Sequence, residues 1–263
     1  QREALQAAIE AGRGILELFT GAGKCLAKGT LVIDYTGNLV NVEDVANGDV
    51  LLGPDSLPRH VTGTTIGYGP LYKIIPTKGD SWVCNSVHVL SLIHTSTNKI
   101  VDVPLDQYIA WPQSKKHFYK LFQPKNGVEF DSAPTLPIDP YFIGVWLGDG
   151  RKDLNSGVSV SKPDTEIKAC CERLARDWNL DVSVYSNGGC PEYRLKRKPG
   201  LPSNNLTVAM KDLFKLGLCI PHIYKTASRA ERLELLAGLI DTDGHLGNGY
   251  YEIVQKSSVI ISD

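Results

Sequence analysis

No two of the six cysteines (Cys25, Cys84, Cys170, Cys171, Cys190, Cys219) stand at CxxC spacing. That argues against a zinc site and against a disulfide framework, so a reducing cytoplasm is the expected location. No apolar run approaches the ~18 residues that a membrane span needs, and no N-terminal signal pattern is present. A membrane partner is therefore not expected. Neither sign of charge dominates: 28 Lys and Arg against 29 Asp and Glu leave a formal net charge of -1. There is thus no overall nucleic-acid footprint, although local basic runs exist. A hydrophobic fraction of 42% over 263 residues is that of a globular chain of one large domain or two ordinary ones.

The stretch "TGAGKCLAKGT", residues 20–30, begins as a phosphate-binding loop. Gly21, Gly23 and Lys24 occupy the positions of that loop's glycines and lysine. The next residue should be a Ser or Thr whose hydroxyl holds magnesium; here it is Cys25. Upstream, residues 1–18 read as an amphipathic helix, a glycine break and a short strand, the right context for such a loop. Downstream the texture changes. Short β-branched runs alternate with turn signals such as Thr36-Gly37-Asn38, Asn47-Gly48-Asp49 and Gly53-Pro54-Asp55, which predict a compact β fold.

Residues 125–140, rich in Pro and Asp, read as a linker. Beyond them helices alternate with strands. "DTEIKACCERLARDWNL" has helical periodicity behind an Asp164 cap. "VAMKDLFKLGL" reads as another helix, and "SRAERLELLAGLIDTDG" as one opened by Ser228 and Glu231 in a capping box. "YRLKRKPG", residues 193–200, is strand-like and basic; Arg194, Lys196 and Lys198 would share one face, with Arg197 beside them. The two uses open to such a run are DNA phosphate contact and a charged edge strand.

"YFIGVWLGDG" and "LLAGLIDTDG" have one shape: an apolar helix with a small residue inside and Asp-Gly at the end. Gly144, Ala237 and Gly238 would let two such helices pack closely and end at the same level. Asp149 and Asp243 would then lie side by side, where two carboxylates repel unless a proton or a metal sits between them. Mg²⁺ suits such oxygen ligands and could polarise a phosphodiester and activate a water.

The second copy, residues 236–244, resembles the LAGLIDADG motif of homing endonucleases at eight of nine positions. That resemblance implies that Asp149 and Asp243 bind the catalytic metal, and double-stranded DNA becomes a candidate partner. "CLAKGTLVIDYTGNLVNVEDVANGDVLLGPDS" resembles the N-terminal splicing block of an intein, and "GDSWVCNSVHVLSL" resembles the second block. The second block's Thr-x-x-His core is here Asn85-Ser86-Val87-His88. The resemblance implies a mainly β splicing domain, a Hint-type horseshoe, in residues 25–130. A partial α/β LAGLIDADG domain would follow in residues 131–263.

It also implies a chemistry that needs no cofactor. Cys25 attacks the preceding carbonyl, and proximity removes the entropic cost of meeting. His88 supplies acid–base help, its unperturbed pKa of ~6.5 suiting proton transfer near neutrality. Asn85 holds the Lys24–Cys25 peptide and stabilises the oxyanion. The product is a thioester on Cys25, with Lys24 as the splice junction. Residues 1–24 resemble the start of a superfamily 2 DNA helicase, an N-extein ending at the phosphate-loop lysine. An intein's terminal His-Asn is not found before "VQKSSVIISD". The missing part is expected either on a second polypeptide, a complementary C-terminal intein fragment acting as partner, or further along the same chain. Two further readings stay open: a Mg²⁺-dependent homing endonuclease with degenerate splicing, and a P-loop helicase.

Overall fold

The computed structural model describes residues 26–77, 79–124, 127–130, 134–186 and 189–262. The helix and strand expected in residues 1–18, the phosphate-loop residues, Lys24 and Cys25 lie outside the described residues. The chain divides into two compact units, Gln1–Val128 and Glu129–Asp263.

The first unit is built from short antiparallel pairs: β1 (Leu31–Ile33) with β2 (Leu39–Asn41), and β3 (Val50–Leu52) with β4 (Pro58–His60). Next come β5 (Leu71–Ile74) with β6 (Trp82–Asn85). Turn chemistry sets the first reversal. Asp34 Oδ1 accepts from the Thr36 and Asn38 amides, and Gly37 takes φ 86°, a conformation that favours glycine. A three-stranded sheet follows, with β7 (Val89–His94) between β8 (Ile100–Pro104) and β9 (Tyr119–Leu121). Helices α1 (Leu105–Ala110) and α2 (Gln113–Lys116) lie between β8 and β9 in the chain. The core is small: Cys84, Leu90, Leu92, Val103 and Leu105 are buried, with Trp82 and Trp111 packed against them.

The second unit centres on α3 (Pro140–Asp149), capped by Asp139, whose side chain accepts from the Phe142 amide. Phe142 through Leu147 are all buried, as suits a helix that is apolar all round. The sheet beside it has the order β10 (Val158–Ser161), β12 (Glu192–Arg197), β11 (Leu180–Tyr185). Helix α4 (Thr165–Asp177) begins at the expected Asp164 cap, which accepts from the Glu166 and Ile167 amides. Helix α5 (Asn205–Leu213) starts earlier than its apolar pattern suggests, because the Asn204 side chain caps it by accepting from Thr207 N. After α6 (His222–Lys225) comes α7 (Arg229–Asp243), whose Ser228–Glu231 capping box is complete. A hairpin of β13 (Gly244–Gly247) and β14 (Tyr250–Ile253) precedes α8 (Ser258–Ser262).

The linker reading of residues 125–140 holds only in part. Ile138 is buried in the core of the second unit, and Tyr224 Oη both accepts from its N–H (3.2 Å) and donates to its C=O (2.8 Å). In the sequence pattern its apolar side chain is submerged among prolines and aspartates.

Candidate functional site

In the first unit, β6 ends at Asn85 and a tight turn leads to His88, whose amide donates to Asn85 O at 3.3 Å. The turn is held from outside by α1. Helix N-termini leave amides without intrahelical partners; here Leu105 N donates to His88 O and Asp106 N to Ser86 O, both at 2.8 Å. The His88 ring meets Trp82 edge-on, centroids 5.2 Å apart. Both Asn85 and His88 are half-buried. Strand β6 has β5 on one side; on the other, Leu26 pairs antiparallel with Cys84, and Ala27 N donates to Val83 O at 2.9 Å. Asn85 and His88 thus lie within one turn, next to the strand position that faces Leu26.

In the second unit, α3 and α7 meet backbone to backbone. A Cβ on Gly144 would lie 2.0 Å from Leu235 O, and one on Gly238 would lie 2.2 Å from Tyr141 O. A third glycine, Gly148, faces Thr242, where a Cβ would lie 2.1 Å from Oγ1. This seam brings the helix C-termini together and with them Asp149 and Asp243. Burial first, and then the charge of Asp149, push the Asp243 carboxyl above the usual carboxylate range; Lys152 and Lys162 pull it back. Asp149 Oδ2 is buried and accepts no directed hydrogen bond, although the Lys162 ammonium lies 2.9 Å away as an ion pair. Gln255 Nε2 donates to Asp243 Oδ2 at 2.6 Å.

Lys152 Nζ caps the last turn of α3, donating to Trp146 O, to Leu147 O at 2.9 Å and to Gly148 O at 3.3 Å. Although the residue as a whole is exposed, its ammonium is enclosed by these carbonyls and the Trp146 ring. Desolvation lowers its pKa to about 8, against the pull of Asp243 and Asp149.

Among the described residues no group of three or more His, Cys, Asp or Glu side chains could hold a metal ion. Two carboxylates remain, and Mg²⁺ commonly uses one or two with waters and phosphates completing its shell. Two carboxylates at the meeting ends of α3 and α7, with Asp243 raised by burial and then by the charge of Asp149, are a donor set that suits a hard cation.

The basic strand is more divided than its sequence suggests. Arg194 and Lys196 share a face and both approach Tyr185: the guanidinium is 4.3 Å and the ammonium 4.6 Å from the ring centroid. Arg194 also pairs with Glu192 at 2.7 Å. Arg197 falls on the opposite face and donates to Leu201 O and Pro202 O. Lys198 lies past the strand end and reaches Asn179 Oδ1 at 2.8 Å. The sequence alone assigns no role to Lys152, Lys162 or Gln255. The signal that could have found the latter two is their offset of 13 and 12 residues from the two aspartates.

No family model matches the chain. It is 27% identical over 252 residues to the replicative DNA helicase DnaB of Mycobacterium intracellulare, a match covering 87% of this chain and 39% of that protein. It is also 27% identical over 118 residues to a V-type proton ATPase catalytic subunit from Candida tropicalis, covering 42% of this chain and 11% of that one. The chain therefore spans well under half the length of either relative. No helix among the described residues is long and apolar enough to cross a membrane.

Proposed function

We propose that the chain is the N-terminal part of an intein interrupting the phosphate-binding loop of a DNA helicase, and that it forms a thioester at the Lys24–Cys25 junction. On this reading residues 25–130 belong to a Hint-type horseshoe and residues 131–263 to a LAGLIDADG domain. The observation that carries it is the pairing of Leu26 with Cys84. Leu26 is bonded to Cys25 and Cys84 to Asn85, so the nucleophile and the amide are each one residue from a paired position. His88 follows on the same turn.

In the proposed step Cys25 Sγ attacks the Lys24 carbonyl carbon. A C–S bond forms as the C–N bond to Cys25 breaks. His88 takes up the thiol proton and delivers it to the departing nitrogen, so the rearrangement is balanced without a cofactor. Asn85 binds the scissile peptide and the developing oxyanion.

The two likenesses support this reading indirectly. The first, over 87% of the chain, extends far beyond a 24-residue helicase leader. One relative is named for a DNA helicase and the other for a proton ATPase. An inserted module common to both accounts for the two likenesses more simply than either activity does. A P-loop helicase reading rests on the leader and on the DnaB likeness alone, and Cys25 stands where that motif needs a hydroxyl.

The test is to incubate the chain with dithiothreitol and weigh the products. Residues 1–24 should be released, Cys25→Ala should release none, and His88→Ala should slow release by roughly 10²–10⁴. Ligation of the flanking segments should require the complementary C-terminal fragment. A folded chain that releases nothing, with or without that fragment, would end this reading.

A second activity is favoured by the α3–α7 seam. Asp149 and Asp243 would hold Mg²⁺, which when bound polarises a phosphodiester and lowers the pKa of a water. Gln255 orients Asp243, and Arg194 and Lys196 offer positive charge to a DNA backbone. Cleavage of the intein-free helicase gene by the assembled protein, lost in Asp149→Asn and in Asp243→Asn, is the expected result.

A further inference from the structure

The two aspartates have equivalent partners of unequal charge. Lys162 stands just past β10, thirteen residues after Asp149; Gln255 stands just past β14, twelve residues after Asp243. Each reaches back to the aspartate of its own repeat, Lys162 at 2.9 Å as an ion pair and Gln255 at 2.6 Å as a neutral amide donor. Lys162 also crosses the seam. Its Nζ donates at 2.6 Å to Thr242 O, the carbonyl immediately before Asp243. The ammonium thus sits where the negative ends of two helices meet. Lys152 does not duplicate it, because its ammonium is directed at three carbonyls of α3.

Resting on the metal reading above, we infer that Lys162 is a built-in counter-ion that takes the place of a divalent cation beside Asp149. The pair then accepts one divalent cation, with Asp243 its main ligand and Asp149 the weaker one. The reasoning is electrostatic. A fixed positive charge in contact with one carboxylate satisfies it and repels a second cation, whereas the group in contact with Asp243 is the neutral Gln255 amide, and the two lysines act on that carboxylate only from a distance. The equivalence of the two positions makes the difference testable by exchanging their chemistry.

The experiment is Mn²⁺ titration of the full chain, read by the electron paramagnetic resonance signal of the free ion. The wild-type chain should bind one ion, and Asp243→Asn should lose it. Lys162→Gln should bind Mn²⁺ at least roughly tenfold tighter, as expected when a contacting like charge is removed. Lys162→Arg keeps the charge and should match wild type. Gln255→Lys adds a second ammonium and should lose the ion, so that the inference is testable even if Lys162→Gln fails to fold. Unchanged binding in both Lys162→Gln and Gln255→Lys, with loss in Asp243→Asn, would overturn the counter-ion and leave the metal reading standing. No binding by wild type and Lys162→Gln alike would overturn the metal reading, and the counter-ion with it.

Discussion

At Gly144 one added carbon decides how closely two helices lie. The obstacle there is the backbone oxygen of Leu235, which cannot rotate away as a side chain could. Gly144→Ala must therefore part α3 from α7, and overpacking of this kind costs about 1–3 kcal/mol. The measurement is the urea midpoint of the second unit, followed through Trp146; a midpoint equal to wild type would show that the seam is softer than its geometry implies.

Lys152 gives a pH prediction of definite sign. Its folded pKa, about 8, lies below the unfolded value of 10.5. Between these the unfolded chain binds more protons, so this group's contribution to stability rises with pH from about 8 to about 10.5. Cys170 and Cys171 act oppositely: burial raises each thiol from 9.0 to about 12, so their contribution is lost as pH climbs through that range. The two effects overlap, and only the difference between wild type and Lys152→Met isolates the lysine. That difference should reach about 1 kcal/mol in favour of wild type on going from pH 7 to pH 10.5, a figure reduced for screening at a partly exposed residue. A gap that does not change with pH would contradict the enclosed ammonium.

Among the elements, the short segment before α3 depends on a clamp. Tyr224 Oη serves both the N–H and the C=O of Ile138, all of them buried. Tyr224→Phe keeps the ring and leaves two backbone groups without their partner, at a cost of about 1–3 kcal/mol. Thermal unfolding of the second unit should register it, and a melting point within a degree of wild type would mean that water replaces the hydroxyl.

Elements and caps are easier to read from the sequence than such clamps. Asp164, Ser228 and Glu231 are legible because capping depends on residues within one turn. The Asp-Gly helices are legible because small residues at a seam leave a local trace. Ile138, Tyr224, Lys152 and Lys162 are not, because their partners are remote or lie on another element's backbone, where composition carries no mark. Strand periodicity alone puts Lys198 on the face of Arg194, but the strand stops one residue before it.

For the whole molecule, the division after Val128 puts the two proposed sites in different units with no residue in common. Asn85 and His88 are fixed by β6, α1 and a core of the first unit. Asp149, Asp243, Lys152, Lys162 and Gln255 are fixed by the seam and core of the second. Effects of substitutions that have no partners in common usually add. Asp149→Asn combined with Asp243→Asn should therefore leave the rate of thiol-induced release of residues 1–24 at its wild-type value while removing Mn²⁺ binding. His88→Ala should do the reverse. The decisive measurement is the pair of assays run on both variants. A release rate that falls with the double aspartate variant would mean that the acidic seam supports the splicing step, and the two units would then have to be treated as one catalytic body.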